Sequence, residues 1–132
     1  MNVAVRYYSQ SGRTEKIAQA IARGADVQAV SITEEPEITG EIDILFLGGA
    51  PYANIMAPEL KAYANKLSAD NIKKVVLFTT SIWSRRTVLA LKKQLKSKGI
   101  TVADENFYAQ AAKIDERINA AEEFGKRISN IN

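Results

Sequence analysis

The sequence contains no cysteine and no histidine. The first absence rules out disulfides, thiolate nucleophiles and thiolate metal sites, and it fits a reducing compartment, so a cytoplasmic location is expected. The second removes the commonest general base and the commonest metal ligand. Any chemistry must come from carboxylates, hydroxyls, amines or a borrowed cofactor. Long hydrophobic runs are also missing. The apolar run within residues 1–8 is too short for a signal segment. No stretch approaches the ~20 apolar residues that a spanning helix needs, so no membrane partner is expected. Repeats, low-complexity tracts and linkers are absent too.

What remains is the composition of an ordinary globular domain. There are 132 residues, 46% apolar and 25% charged, which suits a single domain with one core spanning residues 1–132. The net charge of +3 is unevenly spread. Residues 71–103 carry eight basic side chains (Lys73, Lys74, Arg85, Arg86, Lys92, Lys93, Lys96 and Lys98) and no acidic one. The rest of the chain holds ten basic and fifteen acidic residues. Such asymmetry reads either as a solvated lysine-rich helix or as a field that steers an anionic partner.

Short apolar runs alternate with amphipathic segments. Val3–Tyr8, Val27–Ile32, Ile42–Leu47, Val75–Thr80 and Thr101–Ala109 read as strands, the third central and the last at an edge. Helices are expected over Thr14–Arg23 with Gly24 as its stop, from Pro58 through Leu67, from about Ser84 to Gly99, and from about Ile114 to Ser129. Strands alternating with helices imply parallel crossovers and a covered sheet. The expected architecture is a three-layer α/β/α sandwich with a five-stranded parallel sheet of order 2-1-3-4-5. One crossover is unusual. Only about nine residues, Thr33–Glu41, join strands two and three, so no full helix fits there.

In an open parallel sheet, ligands bind beyond the carboxyl ends of the strands, where the strand order reverses. Three loops lie at that crevice. The first is Ser9-Gln10-Ser11-Gly12-Arg13-Thr14, between strand one and helix one. Three hydroxyls, the amides of a helix start and the helix dipole together make a phosphate site. Gly12 permits the tight turn and a close approach of the backbone. Neither a Walker loop nor the dinucleotide fingerprint is present, because the Gly-Lys-Ser/Thr and the further glycines are missing. The alternative reading of this loop is a plain N-capping turn. The second loop is Gly48–Ile55, and the third is Thr79–Ser84.

The first loop resembles the flavodoxin phosphate signature, Ser/Thr-x-Ser/Thr-Gly-x-Thr, matching it at Ser9, Ser11, Gly12 and Thr14. The second and third loops look like the flavodoxin loops that flank the two faces of a flavin ring, and the likeness spans roughly residues 2–108. Flavodoxins are a standing example of the switch-point rule. The resemblance implies FMN as cofactor. It implies binding by Ser9, Gln10, Ser11, Gly12, Arg13 and Thr14 at the phosphate, and by Ala50, Pro51, Tyr52, Ala53, Asn54, Thr80, Ser81, Ile82 and Trp83 around the ring. Tyr52 and Trp83 are the candidates to stack on it; the other readings are a surface aromatic for Tyr52 and a packing aromatic for Trp83. The pair Gly48-Gly49 is expected to permit a peptide flip next to the ring.

The implied function is a small FMN-binding electron carrier in which the flavin does the redox chemistry and the protein orients and tunes it. Its partners are expected to be redox proteins, with the basic stretch favouring acidic ones, and not nucleic acid. Two alternatives stand beside it. One is an FMN-dependent NAD(P)H or quinone oxidoreductase. The other is a flavin-free interaction module on the same fold.

Overall fold

A computed structural model describes residues 1–52, 55–81 and 86–130. In chain order the elements are β1 (Val3–Tyr7), α1 (Arg13–Gly24), β2 (Ala29–Ser31), β3 (Ile44–Gly49), β4 (Pro51–Tyr52), β5 (Ile55–Met56), α2 (Pro58–Asn65), β6 (Val75–Ser81), α3 (Arg86–Ser97), β7 (Phe107–Gln110) and α4 (Ile114–Ser129). A short 3₁₀ turn, Ala111–Lys113, leads into α4.

Five strands form one parallel sheet in the order β2-β1-β3-β6-β7. Counting only these five, this is the expected 2-1-3-4-5. The strand period of two sorts the side chains onto two faces. Val5, Tyr7, Ile44, Phe46, Val76 and Phe78 pack against α1 and α4. Ala4, Leu45, Leu47, Val75 and Leu77 pack against α2 and α3. Every residue of β3 and β6 is buried, because these strands are central and covered on both sides. The helices supply matching stripes: Ile17, Ala18 and Ile21 from α1, Leu60, Tyr63 and Ala64 from α2, Val88, Leu91 and Leu95 from α3, and Ala121, Phe124 and Ile128 from α4. Pro58 opens α2, where its missing N–H costs nothing. No described helix is long and apolar enough to cross a membrane.

The short crossover between β2 and β3 has no helix among residues 33–41. Ile38 and Ile42 pack against the core in its place. This strap also explains how a central strand tolerates Arg6. Its guanidinium donates to Glu35 Oε2 at 3.0 Å and to the Val5 carbonyl at 3.1 Å. A full helix would bury that charge; the strap brings it a carboxylate.

Four expectations change. Gly24 is not a left-handed stop but the last residue of α1, and the positive φ falls on Asp26, at 59°. Gly24 is bare for packing: a Cβ there would meet the Glu122 carbonyl oxygen at 1.9 Å, and one on Gly125 would meet the Ile21 carbonyl oxygen at 2.1 Å. The two glycines let α1 and α4 touch backbone to backbone. Gly99, by contrast, does take the left-handed state after α3, at φ 79°. The last strand is only Phe107–Gln110, with an isolated bridge from Val102 to Val75. The intervening Asp104 and Glu105 turn outward to Lys92 and Arg127, and a run with two ion-paired acids does not ladder. The second strand is Ala29–Ser31, shorter than expected. Finally, β4 and β5 form a two-stranded antiparallel ribbon that periodicity does not reveal.

Because the α1–α4 contact leaves no room for a methyl, Gly125→Ala should destabilise the fold by about 1–3 kcal/mol through overpacking. Urea unfolding followed by circular dichroism measures it. A midpoint equal to that of the parent protein would contradict the contact.

Candidate functional site

The ends of β1, β3 and β6 lie side by side, so the described starts of the three loops expected at the crevice converge. Tyr7 pairs with Gly48, and Gly49 with Thr79. The Tyr8 amide donates to the Gly48 carbonyl at 3.0 Å. The Thr79 hydroxyl donates to the Gly49 carbonyl at 2.7 Å.

The first loop is built around Gly12, which takes φ 88° and ψ −8° and is the N-cap of α1. A Cβ there would meet nothing within 4 Å, so glycine is required for the backbone state and not for space. The Gly12 amide donates to Ser9 Oγ at 3.0 Å, and the Arg13 amide to Ser11 Oγ at 3.4 Å. Both serine oxygens accept, so each keeps its own O–H to donate elsewhere. The first amides of α1 beyond Arg13 have no intrahelical partner. Ser11 and Arg13 are exposed, and Ser9 is half-buried. The loop therefore offers hydroxyl donors, helix-start amides and one guanidinium on a single turn.

Thr14 plays a different part from its loop neighbours. It is buried, and its Oγ1 lies 2.7 Å from Thr80 Oγ1. The pair fastens the first turn of α1 to the end of β6. Between them the two hydroxyls share one hydrogen bond, which leaves one O–H proton to spare.

Gly48 and Gly49 belong to β3, so the second loop starts at Ala50. Their lack of a side chain answers to packing. A Cβ on Gly48 would lie 2.3 Å from Phe78 Cε2, and one on Gly49 would lie 2.7 Å from Leu60 Cδ2. Pro51 and Tyr52 form β4, paired to Met56 and Ile55. Thr79, Thr80 and Ser81 close β6, and the Tyr108 hydroxyl donates to the Ser81 carbonyl at 3.1 Å. Ala53, Asn54, Ile82 and Trp83, together with the side chain of Tyr52, lie outside the described residues. The described structure thus brings together Ser9, Gln10, Ser11, Gly12, Arg13, Thr14, Ala50, Pro51, Thr80 and Ser81.

Two residues at the site escape a reading of the sequence. The Tyr8 hydroxyl donates to Glu59 Oε2 at 2.6 Å and accepts from Gln10 Nε2 at 3.2 Å. This chain ties loop one to α2. In the sequence, Glu59 is only an acid in a first helical turn, and 51 residues separate it from Tyr8. The Tyr8 hydrogen bond, helped by one from the Glu59 backbone, holds the Glu59 carboxyl below its ordinary value. On the other face of the sheet, burial and then the charge of Glu15 push the Tyr7 phenol up. Among the described residues no group of acids could hold a metal ion.

Thr80→Val leaves the buried Thr14 hydroxyl unpaired and should cost about 1–3 kcal/mol, whereas Thr14→Val with Thr80→Val should recover much of the loss. Chemical denaturation of the three variants provides the cycle, and additive single effects would contradict the pairing. The carboxyl gives a pH test. A depressed carboxylate contributes stability above its unfolded pKa, and that stability is lost as pH falls through the folded pKa. In Tyr8→Phe, the Glu59 pKa should rise toward the usual carboxylate range, as read by carbon-13 NMR of the side-chain carboxyl. An unmoved titration would contradict the bond.

No protein-family model matches the sequence, and no curated protein sequence does. Solved structures do match. A flavodoxin from the domain Archaea superposes with a TM-score of 0.84 at 21% identity, covering 98% of this chain and 96% of that one. Flavodoxin 2 from Bacillus cereus gives 0.73 at 19% identity, covering 98% and 97%. The flavodiiron core of Flv1 from Synechocystis gives 0.74 at 20% identity, but there this chain corresponds to only 35% of the longer one. Strand order, the three converging loops and these superpositions give one answer: the chain has the flavodoxin fold.

Proposed function

We propose that this protein binds FMN with its phosphate on the Ser9–Thr14 loop and serves as an electron carrier between redox proteins, in the cytoplasm. The observation that carries the reading is the turn at Gly12. It opens α1 toward the crevice between β1 and β3, with the hydroxyls of Ser9 and Ser11 alongside. A dianionic phosphate monoester fits that donor set: hydroxyl protons, helix-start amides, the positive end of the helix dipole and the Arg13 guanidinium. Gly12 leaves the approach clear, since nothing stands within 4 Å of where its side chain would be.

Bound flavin would supply the redox chemistry. The protein's own residues have narrower tasks. Ser9, Ser11 and the α1 amides hold the phosphate. Thr14 and Thr80 fix α1 against β6, so the phosphate end of the site and the ring end keep a set distance. Tyr8, Gln10 and Glu59 brace the loop from behind. Ala50 and Pro51 on one side, and Thr80 and Ser81 on the other, would frame the ring. The flavodoxins and flavodiiron proteins of the same fold favour this reading over a flavin-free module. The sequence holds no histidine or cysteine, which favours a carrier over an enzyme with its own acid–base groups.

Titrating the protein with FMN and with riboflavin, followed by quenching of flavin fluorescence, tests the proposal. FMN should bind, and riboflavin, lacking the phosphate, should bind at least ~100-fold more weakly, as expected for losing several charge-assisted hydrogen bonds. Ser11→Ala should weaken FMN about 10-fold and leave riboflavin unchanged. Equal affinities for the two flavins would contradict phosphate recognition by the loop.

A further inference from the structure

Helix α3 presents a basic, partly apolar face that no other element covers. Its twelve residues, Arg86–Ser97, include Arg86, Lys92, Lys93 and Lys96 and no acid. The lysines are not equivalent. Lys92 is half-buried and pairs with Asp104 at 3.5 Å. Lys93 and Lys96 are exposed, and neither makes an ion pair among the described residues. Leu89 lies four residues before Lys93 and seven before Lys96, so the three share one helical face. At 65% exposure it is the one large apolar side chain inside the fold that solvent reaches so freely; only Met1 at the terminus equals it among the described residues.

The neighbouring helix extends the face. A shallow groove of about 360 Å³ runs between α2 and α3, lined by Met56, Ala90, Lys61 and Lys93. Gln94 spans the two helices, donating to the Lys61 carbonyl at 3.0 Å and to Asn65 Oδ1 at 2.7 Å, so the face is rigid. The one acid on α2, Glu59, is engaged by the Tyr8 hydroxyl. Among the described residues no acid pairs with Lys61, Lys93 or Lys96. The helix also starts without an acid in its first turn, where acids are favoured, so its own stability is not what the charge pattern serves.

We propose that this face, Leu89, Lys93 and Lys96 with Lys61 across the groove, is the docking surface for an electron-transfer protein whose contact face is acidic. The naming of an electron-transfer partner rests on the carrier reading above; the charge and shape do not. An exposed leucine followed on the same helical face by two lysines, beside an apolar groove edged by Lys61 and Lys93, matches the anatomy of a transient protein contact: a small apolar centre and charges that steer encounter. A nucleic-acid strand suits the face less well, because α3 carries no aromatic residue on which a base could stack. The position follows from topology. α3 succeeds β6, whose end frames the proposed flavin crevice, and Leu89 stands in the first turn of the helix, about 5 Å along its axis from Arg86. The Leu89 edge of the surface is thus the one nearest the crevice, and Lys93 and Lys96 follow about 10 and 15 Å from Arg86 along the axis.

The test uses an acidic [2Fe–2S] ferredoxin as probe, basic cytochrome c as its opposite and single-stranded DNA as a third ligand. Each is titrated into the nitrogen-15-labelled protein, with and without FMN. The ferredoxin should shift amides of α2 and α3, with an affinity that falls about tenfold or more between low salt and about 0.5 M. Lys93→Glu with Lys96→Glu should weaken it about tenfold at low salt, and Leu89→Ser should weaken it without changing the salt dependence. FMN affinity should be the same in all variants, and a thermal melt confirms that they are folded. Ferredoxin binding that ignores both lysines, shifts confined to another face, or tighter binding of cytochrome c or DNA would each overturn the assignment. FMN uptake without ferredoxin binding overturns the docking face alone. Ferredoxin binding to a protein that takes up no FMN upholds the face and overturns the carrier reading.

Discussion

A hydrogen bond of 2.7 Å between two buried threonine hydroxyls joins the first turn of α1 to the last residues of β6. Much of the molecule is arranged around it. The order β2-β1-β3-β6-β7 puts β3 between β1 and β6, so α1 and the end of β6 must reach each other across the end of β3. β3 itself ends in two glycines, whose bare backbone leaves room for Phe78 at Gly48 and for Leu60 at Gly49. The left-handed turn at Gly12 then directs the chain from β1 into α1 with its free amides toward the crevice. Backbone state, close packing and one polar contact thus fix the geometry of the Ser9–Thr14 loop, the proposed phosphate site.

The two faces of the sheet solve their packing differently. On one, α1 and α4 meet through Gly24 and Gly125, and Phe124 packs its ring against Phe46 and Phe107. This face is close-packed backbone to backbone. On the other, the crossover helix is replaced by a strap, and α2 and α3 cover what remains. Charge is sorted within this second face, from α3 at one part of it to the strap at another. Basic side chains gather on the outer side of α3, while the strap of residues 33–41 holds Glu34, Glu35, Glu37 and Glu41. A molecule built this way has a direction in an electric field, which suits orienting a charged partner.

The architecture was legible in the sequence because its signals are strong. Short apolar runs and stripes of period 3.6 marked the strands and helices around the five-stranded sheet, and the nine residues between strands two and three were too few for a helix. The Ser9–Thr14 loop stood out through its hydroxyls and its glycine at a strand-to-helix junction, and the structure does put that glycine at the start of α1. What the sequence did not disclose depends on contacts between distant residues. Gly24 looked like a helix stop because that is the local use of glycine, but its neighbour is Glu122 on another helix. Gly48 and Gly49 gave no sign of the close packing that makes them bare: Phe78 and Leu60 fill the space that their side chains would take. The hydrogen bond between Thr14 and Thr80, 66 residues away, had no sequence signal either. Tyr8 and Glu59 carried no local signal at all.

The central claim is that the start of α1 grips a phosphate dianion, and phosphorus-31 NMR of FMN with the protein tests it most directly. Free phosphate monoesters titrate with a second pKa near 6, so their resonance moves through that range. If the amides and hydroxyls of residues 9–14 hold the dianion, a separate bound resonance should appear and keep its position from about pH 5.5 to 8, because protonation would break those contacts. A single resonance that goes on titrating like free FMN at saturating protein would contradict the account.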